Sequence, residues 1–299
     1  MSAFEKATAI RRRGESSEYD AASNVARYDA ASNVARYDAA SNVARYDAEL
    51  DPGWNIGDKP NGGYLLAVLA RAACDAVGTE HPLAVSAHYL RAPESGPAEI
   101  RTEVVRSGRR ASTSRAVLWQ GDKPYLDATV TSGRLGDVAP DWAEGGPPDM
   151  PPPEECDGRG NPNFPISLFD NVEMRVDPAT MAFDLETGKP IPNGTPAERY
   201  WFRLRDGAEP DVMSLLIAVD CAFPTVFHLG RFGWAPTVEL SVLLRGLPAP
   251  GWLACEAHTR LVADGWFDEE ASVWDSTGRL VAHSRQLALA GGEPPQPQP

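Results

Sequence analysis

Positive charge is scarce in this sequence. Lys and Arg number 28 against 42 Asp and Glu, leaving a formal net charge of −14. Nucleic-acid binding draws its affinity from clustered Lys and Arg that release counterions, so no nucleic-acid partner is expected. Long apolar runs are missing too. The longest, YLLAVLARAACDAV from Tyr64, is too short to cross a bilayer and contains Arg71, so no membrane span is expected. The opening MSAFEKATAIRRRGESSEYD has no apolar core and does not read as a signal peptide. Cysteine is limited to Cys74, Cys156, Cys221 and Cys255, with no CxxC pair and no His at zinc-ligand spacing. Reduced thiols in a cytoplasmic protein are the expectation. The signatures GxSxG, the P-loop, GxGxxG after a strand and HExxH are all absent, which removes the serine-hydrolase, nucleotide-binding and zincin readings.

What is present begins with a repeat. From Tyr19 the chain reads YDAASNVAR three times without variation, then YDAELDPGW. Nine residues advance a helix by about 900°, so successive copies face opposite ways, and an odd period flips a strand as well. Such a unit lays down no continuous apolar stripe. We read it as a sequence duplication that the fold tolerates; the alternative is an interaction arm.

After the repeats the chain has a two-part grammar. Pro60 and Asn61 lead into a helix of about 15 residues, apolar on nearly all sides and closed by Gly78. Strand-like runs follow: VSAHYLRA, AEIRTEVVRS, STSRAVLWQ and YLDATVTS. A Pro- and Gly-rich stretch, APDWAEGGPPDMPPPEECDGRGNPNFP, reads as a linker. The plan then recurs: the strand ERYWFRLRD, the helix DVMSLLIAVDCAF with Asp211 as N-cap and Pro224 just past its end, and four more strand runs. The expected organisation is an N-terminal tail with the repeats (1–45), a first domain (46–138), a linker (139–170), a second domain (171–290) and a disordered tail (291–299).

The words W-x-I-G-x-x-x-N-G-G-Y from Trp54 to Tyr64, PAPGWL and GRLVAHSRQ resemble type II acyl-CoA thioesterases and their actinobacterial thioesterase-like relatives. That resemblance spans roughly Tyr46 to Leu289. It implies an α+β tandem double hotdog, each half an antiparallel β-sheet wrapped around one long buried helix. It also implies acyl-CoA as substrate, no metal and no cofactor. By analogy a homo-oligomer is expected. Three site residues carry over: Asp220 on the second helix, Thr237 opening TVELS, and Gln286 ending VAHSRQ, which together hold and activate a water.

The chemistry suits that assignment. A desolvated carboxylate has a raised pKa and becomes a useful base near neutral pH. Thr and Gln supply donors and acceptors that fix a water. The amides of Gly62, Gly63 and Tyr64, at a helix N-terminus, are the expected oxyanion donors. Arg106, Arg109 and Arg110 are candidates for coenzyme A phosphates, or simply a solvated turn face. Blander readings stand beside each: a solvated Asp220, a polar strand residue at Gln286, a solvent-facing Thr237 with Glu239 as its rival. Two other functions also remain open. One is a non-catalytic acyl-CoA or lipid-binding double hotdog. The other is a hotdog hydratase, which would place a His against Asp220.

Overall fold

The computed structural model describes residues 1–13, 43–136, 138–156, 166–184, 187, 189 and 191–292. Its backbone is one large antiparallel sheet around two helices. The first half contributes β1 (Ile10–Arg12), β2 (Val43–Leu50), α2 (Gly62–Val77), β5 (His81–Tyr89), β6 (Gly96–Arg106), β7 (Ala111–Gln120) and β8 (Lys123–Gly133). A short ribbon, β3 (Asn55–Ile56) with β4 (Lys59–Pro60), precedes α2. The second half contributes β9 (Val172–Val176), β10 (Ala197–Leu204), α3 (Ser214–Ala218), β11 (Thr237–Leu244), β12 (Leu253–His258), β13 (Val262–Ala263), β14 (Trp266–Trp274) and β15 (Leu280–Leu289). The strand order is β1-β2-β6-β7-β8-β5-β11-β15-β14-β12-β10-β9, with β13 on β14. The halves are therefore sewn together at β5–β11, where Val85 lies opposite Val242.

Helix α2 forms because Ala and Leu dominate it and both ends are capped. Asn61 accepts the Tyr64 N–H at 2.9 Å, and Gly78 closes the far end at φ 66° with Thr79 N–H on the Cys74 carbonyl. Gly63 through Ala70 are all buried, as expected of a helix wrapped by its sheet. All four cysteines are buried.

The second helix is much shorter than expected. It starts where Asp211 accepts the Ser214 N–H and runs only to Ala218. Proline explains the early stop. Continued helix would pair the Asp220 carbonyl with the N–H of residue 224, and Pro224 has none. Asn61 Nδ2 donates to that carbonyl instead, at 3.0 Å, and the Tyr200 hydroxyl takes the Ala218 carbonyl at 2.6 Å. The chain then turns into a 3-10 helix over Thr225–Leu229.

The fold also reaches back before the repeats. A short helix α1 (Ala3–Ala7) buries Phe4 against Trp54, ring centroids 5.2 Å apart, and β1 pairs with β2. A five-residue helix carries too little periodicity to be read from sequence. Residues 14–42, which hold most of the repeats, lie outside the described residues, as do residues 157–165 of the expected linker and 293–299 of the expected tail. The described part of the linker lies along β10, where Trp201 Nε1 donates to the Pro151 carbonyl. No helix among the described residues is long and apolar enough to cross a membrane.

Candidate active site

Gly63 brings the two helices into contact. A Cβ built there would stand 2.1 Å from the Leu216 carbonyl oxygen, so only glycine permits the approach. The approach carries Asp220, just past α3, onto the first turn of α2. Its Oδ2 accepts the Gly63 N–H at 2.7 Å and Asn61 Nδ2 at 3.0 Å. Burial pushes its pKa up to about 7, against the lowering effect of those donors and with a further push from the Glu269 charge. The half-buried carboxylate is thus neither orphaned nor ion-paired. It is held by the positive end of a helix.

Thr237 and Gln286 meet directly. Thr237 donates its hydroxyl proton to Gln286 Oε1 at 2.7 Å. A regular β11 would turn Thr237 outward with Glu239, but a bulge between the two sets Thr237 opposite buried Ala288 and Glu239 opposite exposed Leu287. Thr237 therefore shares the inner face with Gln286. Glu239 stays outside, accepting the Ser241 and Ser86 hydroxyls across the seam. Beyond Gln286 the chain of bonds continues inward: Gln286 Nε2 donates to Glu269 Oε1 at 2.7 Å. No direct bond joins Asp220 to Thr237 or Gln286 among the described residues. Glu269, whose charge reaches both, connects the two groups.

The amides expected to be free are largely engaged. Gly63 N–H serves Asp220 and Tyr64 N–H serves the Asn61 cap, while Gly62 N–H also lowers the Asp220 pKa without a full bond. The reason is that the carboxylate sits where an oxyanion was expected. Tyr89 completes this corner, donating to the Gly62 carbonyl at 2.9 Å. Arg106, Arg109 and Arg110 sit on or beside the exposed turn between β6 and β7. That turn adjoins the end of α2, since Ser114 reaches the Ala73 carbonyl and Gly133 packs under the Arg110 carbonyl. A 16-residue helix, about 24 Å long, separates them from Asp220. The structure does not bring them to this site.

Sequence reading missed Asn61 as a partner of Asp220, and it missed Tyr89, Glu269 and Glu198. For the two glutamates a signal was present. Glu269 alternates with Phe267, Ala271 and Val273, and Glu198 with Tyr200, Phe202 and Leu204, so each interrupts an inward apolar face. Both are buried and both have raised pKa values, burial being the main cause. His228 is buried as well, its pKa lowered to about 4, and neither ring nitrogen has a hydrogen-bond partner. Among the described residues no histidine hydrogen-bonds Asp220, which removes the support for a hydratase.

Two hotdogs joined edge to edge, with a carboxylate on the first turn of the opposite helix, define a double-hotdog protein. The family profile for the acyl-CoA thioesterase N-terminal domain matches residues 50–133, and that for the C-terminal domain matches residues 145–290. The chain belongs to the acyl-CoA thioesterase family. An uncharacterized protein of Mycobacterium tuberculosis is 33% identical over 266 residues, covering 81% of this chain and 89% of the relative. The solved structure of a candidate thioesterase II from Thermobifida fusca is 35% identical with a TM-score of 0.79, covering 97% of this chain and 98% of the other. A hotdog-fold protein of unknown function from Alicyclobacillus acidocaldarius shares the fold, with 20% identity, a TM-score of 0.74 and coverage of 98% and 99%.

Proposed function

We propose that this chain hydrolyses acyl-CoA to free acid and coenzyme A, through a water that Asp220 deprotonates. The observation that carries the reading is Asp220 itself. Its carboxylate is fixed by Gly63 and Asn61 and titrates at about 7, where a base is both available and effective at neutral pH. In this reading the water lies between Asp220 and Thr237, whose hydroxyl proton is committed to Gln286 and whose lone pairs are free to accept from the water. The water oxygen attacks the thioester carbon as its proton passes to Asp220. The tetrahedral oxyanion forms beside the first turn of α2, with the Gly62 N–H as the donor least committed elsewhere. The C–S bond then breaks and the thiolate leaves, taking the proton back from Asp220. No covalent acyl-enzyme is needed.

The test is free-thiol release from a panel of acyl-CoAs, short to long, by the wild type and by Asp220→Asn. Turnover that collapses in the variant supports the mechanism. Turnover that survives keeps the activity and removes Asp220 as the base. A wild type that binds acyl-CoA but releases no thiol is a binding protein instead.

A further inference from the structure

We infer that Glu269 is a positioning residue that sets the direction of the hydrogen-bond chain holding the water, an inference that rests on the thioesterase reading. A glutamine side chain has two unlike ends, and which end faces Thr237 decides what Thr237 can do. An ionised carboxylate only accepts hydrogen bonds. Glu269 Oε1, 2.7 Å from Gln286 Nε2, therefore admits only the amino end of Gln286. The carbonyl end must face Thr237, at 2.7 Å, and Thr237 must donate its one proton to it. What Thr237 then presents to the site is lone pairs alone. A water there gives one hydrogen to Thr237 and the other to Asp220, so its own lone pair is left for the thioester. Each step is forced by the one before, and the first is the Glu269 carboxylate.

Glu269 is well held for this task. It is 5% exposed, and its Oε2 accepts the Thr225 N–H at 2.9 Å and lies 2.8 Å from the Thr225 hydroxyl. That hydroxyl in turn lies 2.6 Å from Thr259 Oγ1. Burial is the larger effect and raises its pKa, while the donors that converge on the carboxylate from the loop before β11 and from β15 oppose that rise. The charged or titratable groups that bear on it are Asp220, Glu198 and Tyr200 on β10, and its neighbour Asp268. Those that bear on Asp220 are Glu269, Tyr89 on β5 and Cys221. Because like charge disfavours ionisation, Glu269 also helps keep the Asp220 pKa high.

Glu269→Gln in the full chain tests this, with Glu269→Asp beside it. The first removes the charge and offers Gln286 either an acceptor or a donor. The second keeps the charge but is one methylene too short to hold both Gln286 and Thr225. Two quantities are read: kcat and KM for thiol release across roughly pH 5 to 9, and the titration midpoint of the Asp220 carboxyl by carbon-13 NMR. For Glu269→Gln we expect kcat to fall about tenfold or more at nearly constant KM. Its Asp220 midpoint, and with it the acid limb of the rate profile, moves to lower pH. For Glu269→Asp we expect the fall in kcat without the shift. A Glu269→Gln protein with wild-type kcat and an unmoved midpoint overturns the inference. Should that variant fail to fold, wild-type kcat in Glu269→Asp overturns it and reduced kcat supports it. A wild type inert towards every acyl-CoA sinks the hydrolase reading alone; the NMR midpoint then decides whether Glu269 acts on Asp220.

Discussion

Asp220 carries opposing demands from folding and from chemistry. In an unfolded chain an aspartate titrates near ~4, whereas here burial raises the value to about 7. Between those values the folded state holds more protons than the unfolded state. The contribution of Asp220 to stability is therefore complete below about pH 4 and is lost as pH rises through about 7. Both hydrogen bonds fall on Oδ2, so an asparagine can place its carbonyl oxygen there and its amino group on the other branch. Asp220→Asn should then unfold at higher urea than wild type at about pH 8, by on the order of 1–2 kcal/mol, with the gap closing towards about pH 5. A gap that does not change with pH would mean that Asp220 titrates normally, and a base working near neutrality would be excluded. The rate should follow the same group. Its kcat/KM should rise with pH through about 7 as Asp220 ionises, and a profile already flat from about pH 5 would contradict that assignment.

At the scale of elements, the site depends on two local departures from regularity. One is the bulge in β11 that turns Thr237 inward; the other is the crossing of α2 and α3 at Gly63. The crossing is open to test. Gly63→Ala drives a methyl group into the Leu216 carbonyl, a backbone atom that cannot swing aside, and should destabilise the protein by about 3 kcal/mol. Gly78→Ala, with φ 66° but nothing within 4 Å of the added carbon, should lose only about 1 kcal/mol. Urea midpoints that rank the two the other way would show that the helices are not tightly crossed there. These elements also show what a sequence makes legible. The strands from β5 to β8 and from β10 to β15 announce themselves by alternation and turn residues, and α2 by its caps. The end of α3 was legible in part, since Pro224 marks a stop and its missing N–H strands the Asp220 carbonyl four residues back, but the helix closes earlier still, at Ala218, whose carbonyl is taken by the Tyr200 hydroxyl. Asp220, Thr237 and Gln286 were singled out as candidates through family resemblance. Their geometry was not legible, because the bulge shows only in cross-strand register and the Asn61 contact joins residues 159 apart in sequence. Glu198 and Glu269 stood on apolar faces in plain view.

The whole molecule closes around the junction of its halves. Asn61 and Gly63 come from the first hotdog, Asp220, Thr237 and Gln286 from the second, and the β5–β11 pairing fixes one against the other. The N-terminus is part of this closure. The Ala7 carbonyl accepts the Tyr64 hydroxyl, Arg71 Nε donates to Thr8 Oγ1, and β1 lies on β2. The three identical nine-residue copies, Tyr19 to Arg45, therefore lie between two paired strands, and only the last three residues of the third copy enter β2. Identity of the copies makes a clean deletion available. Removing Tyr19 to Arg36 leaves one copy and returns Val43–Leu50 to β2 unchanged. The segment between Arg13 and Val43 then shrinks from 29 residues to 11, since 29 − 18 = 11. Loop-closure entropy varies only as the logarithm of length, so the shorter chain should be more stable by about 1 kcal/mol or less. Its kcat and KM for acyl-CoA should match wild type, because the groups that meet at the Asp220 corner among the described residues, Asn61, Gly63, Tyr89, Thr237, Glu269 and Gln286, all lie outside the copies. Such a result would support duplication as the origin of the repeat. A deletion that unfolds the chain, or that lowers kcat with the fold intact, would instead show that the copies contribute to the structure or to the site.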